Sequence, residues 1–560
     1  MKATSRSRSQ LKSKCNTEES TLVCSTSKPR TSKLNVLVIL SHLLEKRAQG
    51  SFSKEKVLTE EYDLVHQALF TDLDDQSGWF YHLLLLEKTV KVENPLLVST
   101  WPPHGSNLNV SADGFRDTCA SSPITGFHLN SGIIPLILYL NEAVEGVSSS
   151  TITVQSVHNT NKDLIWSPLS SNNSGSSQAW VTHLTFHEEN LHSLHTHPIK
   201  VSLGHSQGIM CLSGFHHSHP THFERTVLIQ PHGLQHAEMK SAEMISWGDD
   251  NFHTGETHLL EPTQIKIFDQ LRNSEVNKST ASKWSTETIV NEIALFQELP
   301  SEINWKIGKL MRAELLTAHD AMMSYDKTPE TCRMVHSEEV KELYSDLMTL
   351  DPPHSQYYKD EYSLVVLKQL TSSPESLLRH CSHYRDSASS GTNNYICSRL
   401  GNLSLSHIGS IEKLLWVQML DLSHNQLSSI EGLQAMQLLS CLNLSNNKMG
   451  SFSALEPLTL LKSLNVLDIS YNEIGAHAVD TRRYLCSSPL SHTVGSDWIF
   501  GEFAISGVNV TNYWEAFAIF KDSKLTQIVI IGNVVAEEEF KLFRVKILPA
   551  PNWLDGVELH

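Results

Sequence analysis

The chain has 560 residues, 40% of them hydrophobic and 19% charged, more apolar material than one core uses, which predicts three or four domains of about 100–200 residues each. Lys and Arg number 44 against 61 Asp and Glu, a net charge of −17, so phosphate backbones and anionic lipid are repelled and nucleic acid is excluded as a partner class. None of the nine cysteines sits in a Cys-x-x-Cys pair, the pattern of free thiols in a reducing compartment rather than of a secreted disulfide scaffold.

Residues 1–33 are rich in Ser, Thr, Lys and Arg and almost empty of apolar side chains, and read as a disordered basic tail. The apolar run Leu34 to Leu44 is about half the length of a bilayer span. It follows a polar leader and precedes no small-residue cleavage pattern, so neither stable membrane insertion nor secretion is expected, and the localisation read is cytoplasmic.

Over 34–104 the spacing is helical. Leu58, Tyr62, Val65, Ala68 and Leu69 form one stripe, and Asp74-Asp75 opens a second helix carrying Trp79, Tyr81, Leu83 and Leu86. Prolines at 95, 102 and 103 end the region. Residues 105–255 carry short β-branched or alternating runs, Ile133 to Leu140, Ser150 to Val157, Ala179 to Phe186 and Arg225 to Gln230, separated by Gly, Ser, Asn and Pro. This predicts an antiparallel sandwich or barrel of about seven strands, inserted between helical layers.

Helical stripes return over 256–395: Ile289, Ile293, Phe296 and Leu299, then Ile307, Leu310, Met311, Leu315 and Ala318. A further pair, Glu338 to Leu350 and Tyr357 to Leu370, is split by Asp351-Pro352-Pro353, where proline stops the first helix and the short link implies a hairpin. Over 396–560 a true repeat appears. Val417-x-x-Leu420-x-Leu422-x-x-Asn425-x-Leu427 returns around Asn447 and Asn472, with a more distant copy around Asn533, at the period of roughly 20–29 residues of leucine-rich repeats. Each unit is expected to give one strand with its leucines inward, its Asn satisfying backbone groups at the following turn, and to need stacked neighbours to bury its apolar edge. Residues 540–554 read as a C-terminal cap.

Local catalytic signatures are missing: no phosphate-cradling glycine loop, nucleophile elbow, His-Glu-x-x-His helix or kinase set is found. His195, His197, His216, His217, His219 and His222, with Cys211, can be imagined around a divalent metal, but without a second spaced pair the polar-loop reading is preferred. His319 and Asp320 are neighbours on a helix and point about 100° apart, so they read as a surface polar pair, and Asp346 and Asp351 as solvated.

The segment from Asp74 through Trp79, Tyr81 and His82 to Leu86, the helices from Trp284, and the repeats ending in Trp553-Leu554-Asp555-Gly556 together resemble the α-subunit family of Rab geranylgeranyltransferase, protein geranylgeranyltransferase type II, most similar to the plant form. The fold class is therefore read as multidomain α+β: a helical-hairpin region of the prenyltransferase α type, an α-α superhelix, interrupted by a β-sandwich insert and followed by a leucine-rich-repeat solenoid. The chain departs from the family where Leu83 and Leu84 replace the usual Arg and Trp, and where several tryptophan repeats expected ahead of this one are missing, so it resembles a truncated member.

The resemblance implies transfer of geranylgeranyl from its diphosphate to C-terminal cysteines of Rab GTPases by a β subunit that holds zinc and the lipid. The β subunit, a Rab escort protein and Rabs are the implied partners. Trp79, Tyr81 and His82 are assigned as structural repeat residues and Asn425, Asn447, Asn472 and Asn533 as repeat asparagines, while no catalytic residue, metal ligand or cofactor is assigned to this chain. A non-enzymatic leucine-rich-repeat adaptor is the second reading.

Overall fold

The structure is a computed structural model and describes residues 54–71, 76–90, 97–103, 107–111, 133–156, 164–170, 175–185, 197–203, 209–211, 224–232, 244–253, 283–298, 306–326, 334–385, 394–475, 514–535, 540 and 553–558. The tail 1–33, the run at Leu34 to Leu44 and His195, His216, His217, His219 and His222 lie outside these residues. The protein mixes helix and sheet, and its contacts divide it into two compact units, Met1–Asn94 with Lys278–Tyr358, and Pro95–Asn277 with Lys359–His560.

The first unit contains α1 (Lys54–Thr71), α2 (Gln76–Val90), α3 (Lys283–Glu298), α4 (Lys306–Asp326) and α5 (Ser337–Leu350), and the division falls early in α6 (Ser355–Leu370). Consecutive helices pack as pairs, α1 with α2, α3 with α4 and α4 with α5, and α2 also meets α3 and α4. Their shared core holds Val57, Leu58, Val65 and Leu69 of α1, Trp79 and Leu85 of α2, Ile289 and Phe296 of α3, and Met311 and Leu315 of α4. Gly78 lets α2 lie close to α1, because a Cβ there would fall 2.8 Å from Leu69 Cδ2. At the end of α5, Pro352 and Pro353 cannot donate to the helix ladder and the chain turns.

Asp351 at that turn differs from the solvated acid expected. It is buried, accepts hydrogen bonds from Tyr358 Oη and His354 Nδ1, each at 3.0 Å, and pairs with Lys306 at 3.3 Å. The proline turn leaves this carboxylate the nearest acceptor for three donors, a convergence that local sequence does not announce.

The second unit opens with two sheets. One runs β1 (Leu97–Trp101), β3 (Ile133–Glu145), β6 (Ser177–Thr185) and β5 (Ser167–Pro168), with β8 (Met210–Cys211) beside β3; the other runs β2 (Asn107–Ser111), β9 (Glu224–His232), β7 (His197–Leu203) and β4 (Ile152–Gln155). One pairing departs from the all-antiparallel expectation, since β2 runs parallel to β9. Ile152, Val154, Ile199 and Val201 share a core with Ile134, Leu136, Trp180 and Leu184 of the other sheet. Consecutive Leu136, Ile137 and Leu138 are all buried, so β3 is covered on both faces.

A third sheet continues through β10 (Phe252–His253), β11 (Cys381–Arg385), β12 (Asn394–Arg399), β13 (Met419–Asp421), β14 (Cys441–Asn443), β15 (Val466–Asp468), β16 (Gln527–Val529), β17 (Trp553–Leu554) and β18 (Val557–Glu558). From β12 to β17 every pairing is parallel and in register, so Leu420, Leu442, Leu467 and Ile528 form one inward column. Met419, Cys441, Val466 and Gln527 form the flanking column on the opposite face. The module and these strands share one continuous core, and β1 lies against the turn Ile411–Lys413.

At the end of each strand the backbone turns through a left-handed residue, His424, Asn446 and Tyr471 with φ of 55°, 55° and 52°, and Gly532 with φ 79°. The buried asparagine that follows closes the turn. Asn447 Nδ2 donates to Leu422 O and Leu444 O, each at 3.0 Å, and its Oδ1 accepts from Leu427 N at 3.0 Å. Asn425, Asn472 and Asn533 repeat the pattern, donating to Leu400 O, Leu444 O and Ile469 O respectively. Asp555 ends the series by accepting from Ile530 N at 2.8 Å.

Replacing Asn447 by Ala strands three buried backbone groups, and a loss of about 2–4 kcal/mol is expected in chemical denaturation. Exposed Lys448 sets the control, with Lys448→Ala changing stability by no more than about 0.5 kcal/mol. Equal effects at the two positions would show that the ladder does not bear on stability.

Candidate functional site

The three residues assigned to the helical repeat each tie α2 to a neighbour. Trp79 is buried and meets the Phe296 ring of α3 edge-on, centroids 5.8 Å apart. Tyr81 Oη donates to Glu61 Oε2 of α1 at 2.9 Å. His82 is 0% exposed, and its Nε2 lies 2.7 Å from Glu292 Oε2 of α3. His66 of α1 brings its Nε2 to the same carboxylate oxygen at 2.9 Å.

Two rings on one oxygen make Glu292 an electrostatic centre. Burial alone would raise its pKa, but hydrogen bonds from His66 and His82 outweigh that and hold it below the usual carboxylate value. Around it Tyr62 sits edge-on to His82 at 5.5 Å, with Tyr62 Oη and Thr89 Oγ1 joined at 3.1 Å. His66 and Glu292 went unnoticed in the sequence because they lie 226 residues apart, and no local motif joins them.

A second cluster forms at His319, Asp320 and His336. Asp320 corrects the expectation of a surface pair: it is buried and accepts the backbone N–H of His336 at 3.0 Å. Burial raises its pKa, which the backbone hydrogen bond only partly opposes. Asp346 is exposed and pairs with Lys309.

In the second unit, Met244 to His253 lies across the flanking column of the parallel strands. Gln527 clamps it, accepting from Ile245 N at 2.8 Å and donating to Ile245 O at 2.7 Å. Phe252 packs edge-on against Tyr384 at 5.4 Å and shares a buried cluster with Cys397, Met419, Cys441 and Val466. Arg399 lies over the Phe252 ring at 4.8 Å, pairs with Asp249 at 2.6 Å and approaches Asp421 at 3.5 Å. Cys381, Cys397 and Cys441 are unbridged, and burial pushes the thiols of Cys381 and Cys441 up to about 12, so neither is a reactive thiolate at neutral pH. Of the histidine-rich group singled out in the sequence, only the strand positions His197 and Cys211 are described, and their side chains are not.

The fold and these clusters define a multidomain protein of mixed helix and sheet whose described polar clusters join one element to another. No family model matches the chain. It is 46% identical over 525 residues to geranylgeranyl transferase type-2 subunit alpha 1 of Arabidopsis thaliana, covering 93% of this chain and 73% of that protein. It is 44% identical over 531 residues to subunit alpha 2 of the same plant, covering 93% of this chain and 71% of the relative. The chain belongs to the family of geranylgeranyl transferase type-2 α subunits.

The depressed pKa of Glu292 fixes the sign of a pH effect. A carboxyl whose folded-state value lies below its unfolded one adds stability that is fully present above the unfolded value of about 4.3 and is lost as pH falls through the folded value. Glu292→Gln should therefore lower the unfolding midpoint of the chain at pH 7, with the gap closing below about pH 4. A gap that stays constant from neutral to acid pH would mean the two imidazoles do not recognise the charge.

Proposed function

We propose that this protein is the α subunit of a type-2 geranylgeranyltransferase and supports transfer of geranylgeranyl from its diphosphate to C-terminal cysteines of Rab GTPases. The observation that carries the reading is identity of 46% and 44% to two such subunits over 93% of the chain, a span that takes in helices, sheet module and repeats alike. In this reaction the Rab cysteine Sγ forms a bond to C1 of the lipid while the C1–O bond to diphosphate breaks. The β subunit supplies the lipid cavity and a zinc ion that favours the thiolate, and the α chain supplies surfaces for that subunit and for a Rab escort protein.

In this reading the paired helices α1 to α5 are a prenyltransferase α-type superhelix, the two sheets a sandwich insert, and the parallel strands a leucine-rich-repeat solenoid. Pairwise helix packing, the core shared by the two sheets, and the asparagine ladder support those finer assignments. The cytoplasm suits a chain with unbridged Cys381, Cys397 and Cys441; no helix among the described residues is long and apolar enough to cross a membrane. The adaptor reading is not favoured, because the two relatives that match 93% of the chain are both transferase subunits.

Co-expression with a plant type-2 β subunit tests the assignment. The expected result is a stable complex that transfers geranylgeranyl to a Rab substrate in the presence of escort protein, with the α chain inactive alone. A chain that is folded by circular dichroism yet fails to associate overturns the reading. Association without transfer would keep the subunit role and remove the enzymatic one.

A further inference from the structure

We propose that His66, His82 and Glu292 form a binding site for one divalent transition-metal ion of the zinc class, joining α1, α2 and α3. The sequence assigns no metal to this chain, and the argument rests on geometry alone. Both imidazole Nε2 atoms address one carboxylate oxygen, and the three candidate ligand atoms lie within 4.8 Å of one another. Two imidazoles and a carboxylate are a donor set that zinc favours, and tetrahedral bonds of about 2.0–2.1 Å would space the ligand atoms about 3.3 Å apart. From the present 2.7 and 2.9 Å, side-chain adjustments of about half an ångström open the site.

Two further features favour a cation and one opposes it. The Glu292 carboxylate faces both rings through one oxygen, so the trio brings an acidic oxygen and two ring nitrogens to one point. Against the site, Nδ1 of His82 is buried without a hydrogen-bond partner among the described residues. The hydrogen bond to Glu292 keeps the ring proton on Nε2, so metal binding there has to move that proton to Nδ1, a cost the metal–nitrogen bond must exceed. The His66 side chain is 21% exposed, which gives an ion its entry and a water molecule the fourth position.

The trio at His319, Asp320 and His336 is the weaker candidate. Its carboxylate already accepts the backbone of His336, burial favours its neutral acid form, and two of its members are adjacent on one helix.

The test uses the full chain, stripped with a chelator and titrated with Co2+, followed by Zn2+ displacement. One equivalent of Co2+ should give the intense visible absorption of a tetrahedral site, lost on adding Zn2+, and Zn2+ should raise the melting temperature. His66→Gln and Glu292→Gln should weaken binding by more than the roughly 10–100-fold that loss of a mere supporting partner costs, while His319→Gln leaves it unchanged. Circular dichroism checks each fold; should Glu292→Gln unfold, the partly exposed His66→Gln decides. The proposal is overturned if wild-type Co2+ keeps its octahedral aqua spectrum, or if both site variants bind as wild type does.

Discussion

The helical unit depends on one carboxylate. Its helices come from two stretches of chain, Met1–Asn94 and Lys278–Tyr358, and a stretch of chain that leaves and returns has no local register to guide its reunion. Hydrophobic burial supplies the attraction but little direction, because the apolar stripe of α3 can slide by a turn against α1 and α2 at modest cost. A buried Glu292 cannot slide: moved by one turn, it loses both imidazole donors and becomes an unpaired charge in the core, worth about 3–5 kcal/mol. The ionic contact therefore sets alignment, and the apolar contacts around Trp79 and Phe296 set strength.

The repeats solve a similar problem by periodic means. A parallel strand of three residues leaves carbonyl and amide groups stranded at each turn, and a side chain with both donors and an acceptor, placed at the same point of every unit, satisfies them all. Asparagine fits this need where aspartate cannot, since the interior turns require donation to two carbonyls. At the end of the series the demand falls to acceptance from Ile530 and Ile531, and Asp555 serves there.

What was legible in the sequence follows from the range over which each signal acts. The asparagine ladder is a local pattern copied at fixed spacing, so its residues could be named in advance, as could the helix stripes through Leu58 and Ile289. His66 paired with Glu292, Asp351 as a buried acceptor, and Ile245 clamped by Gln527 are encounters of residues distant in the chain or turned inward by a proline break. None of these partnerships has a local pattern, and Asp351 on its own reads as solvated. The left-handed residues before the asparagines were hidden for a different reason: His424 and Tyr471 carry bulky side chains, and Asn446 and Gly532 are of types common at that conformation but equally common elsewhere in turns. The parallel pairing of Asn107–Ser111 with Glu224–His232 was likewise invisible, because alternation reports which face is buried and says nothing of direction.

The strap across the parallel strands bears on how such an array is used. A column of Met419, Cys441 and Val466 exposed to water would be an apolar stripe suited to capturing a partner. In this chain Phe252, with Ile245 and Trp247, packs into one cluster with it, Arg399 holds Asp249 at its edge, and Gln527 binds both backbone groups of Ile245. The clamp is bidentate and the ring contacts are buried, so a competing peptide would have to replace a ligand that is covalently attached and pays little entropy to dock. The array's apolar column thus works inward on its own chain, anchoring the segment that leads out of the sheet module to the repeats. Within this unit, surfaces for other proteins have to be sought away from that column, where side chains such as Tyr471, Ile531 and Val534 remain exposed.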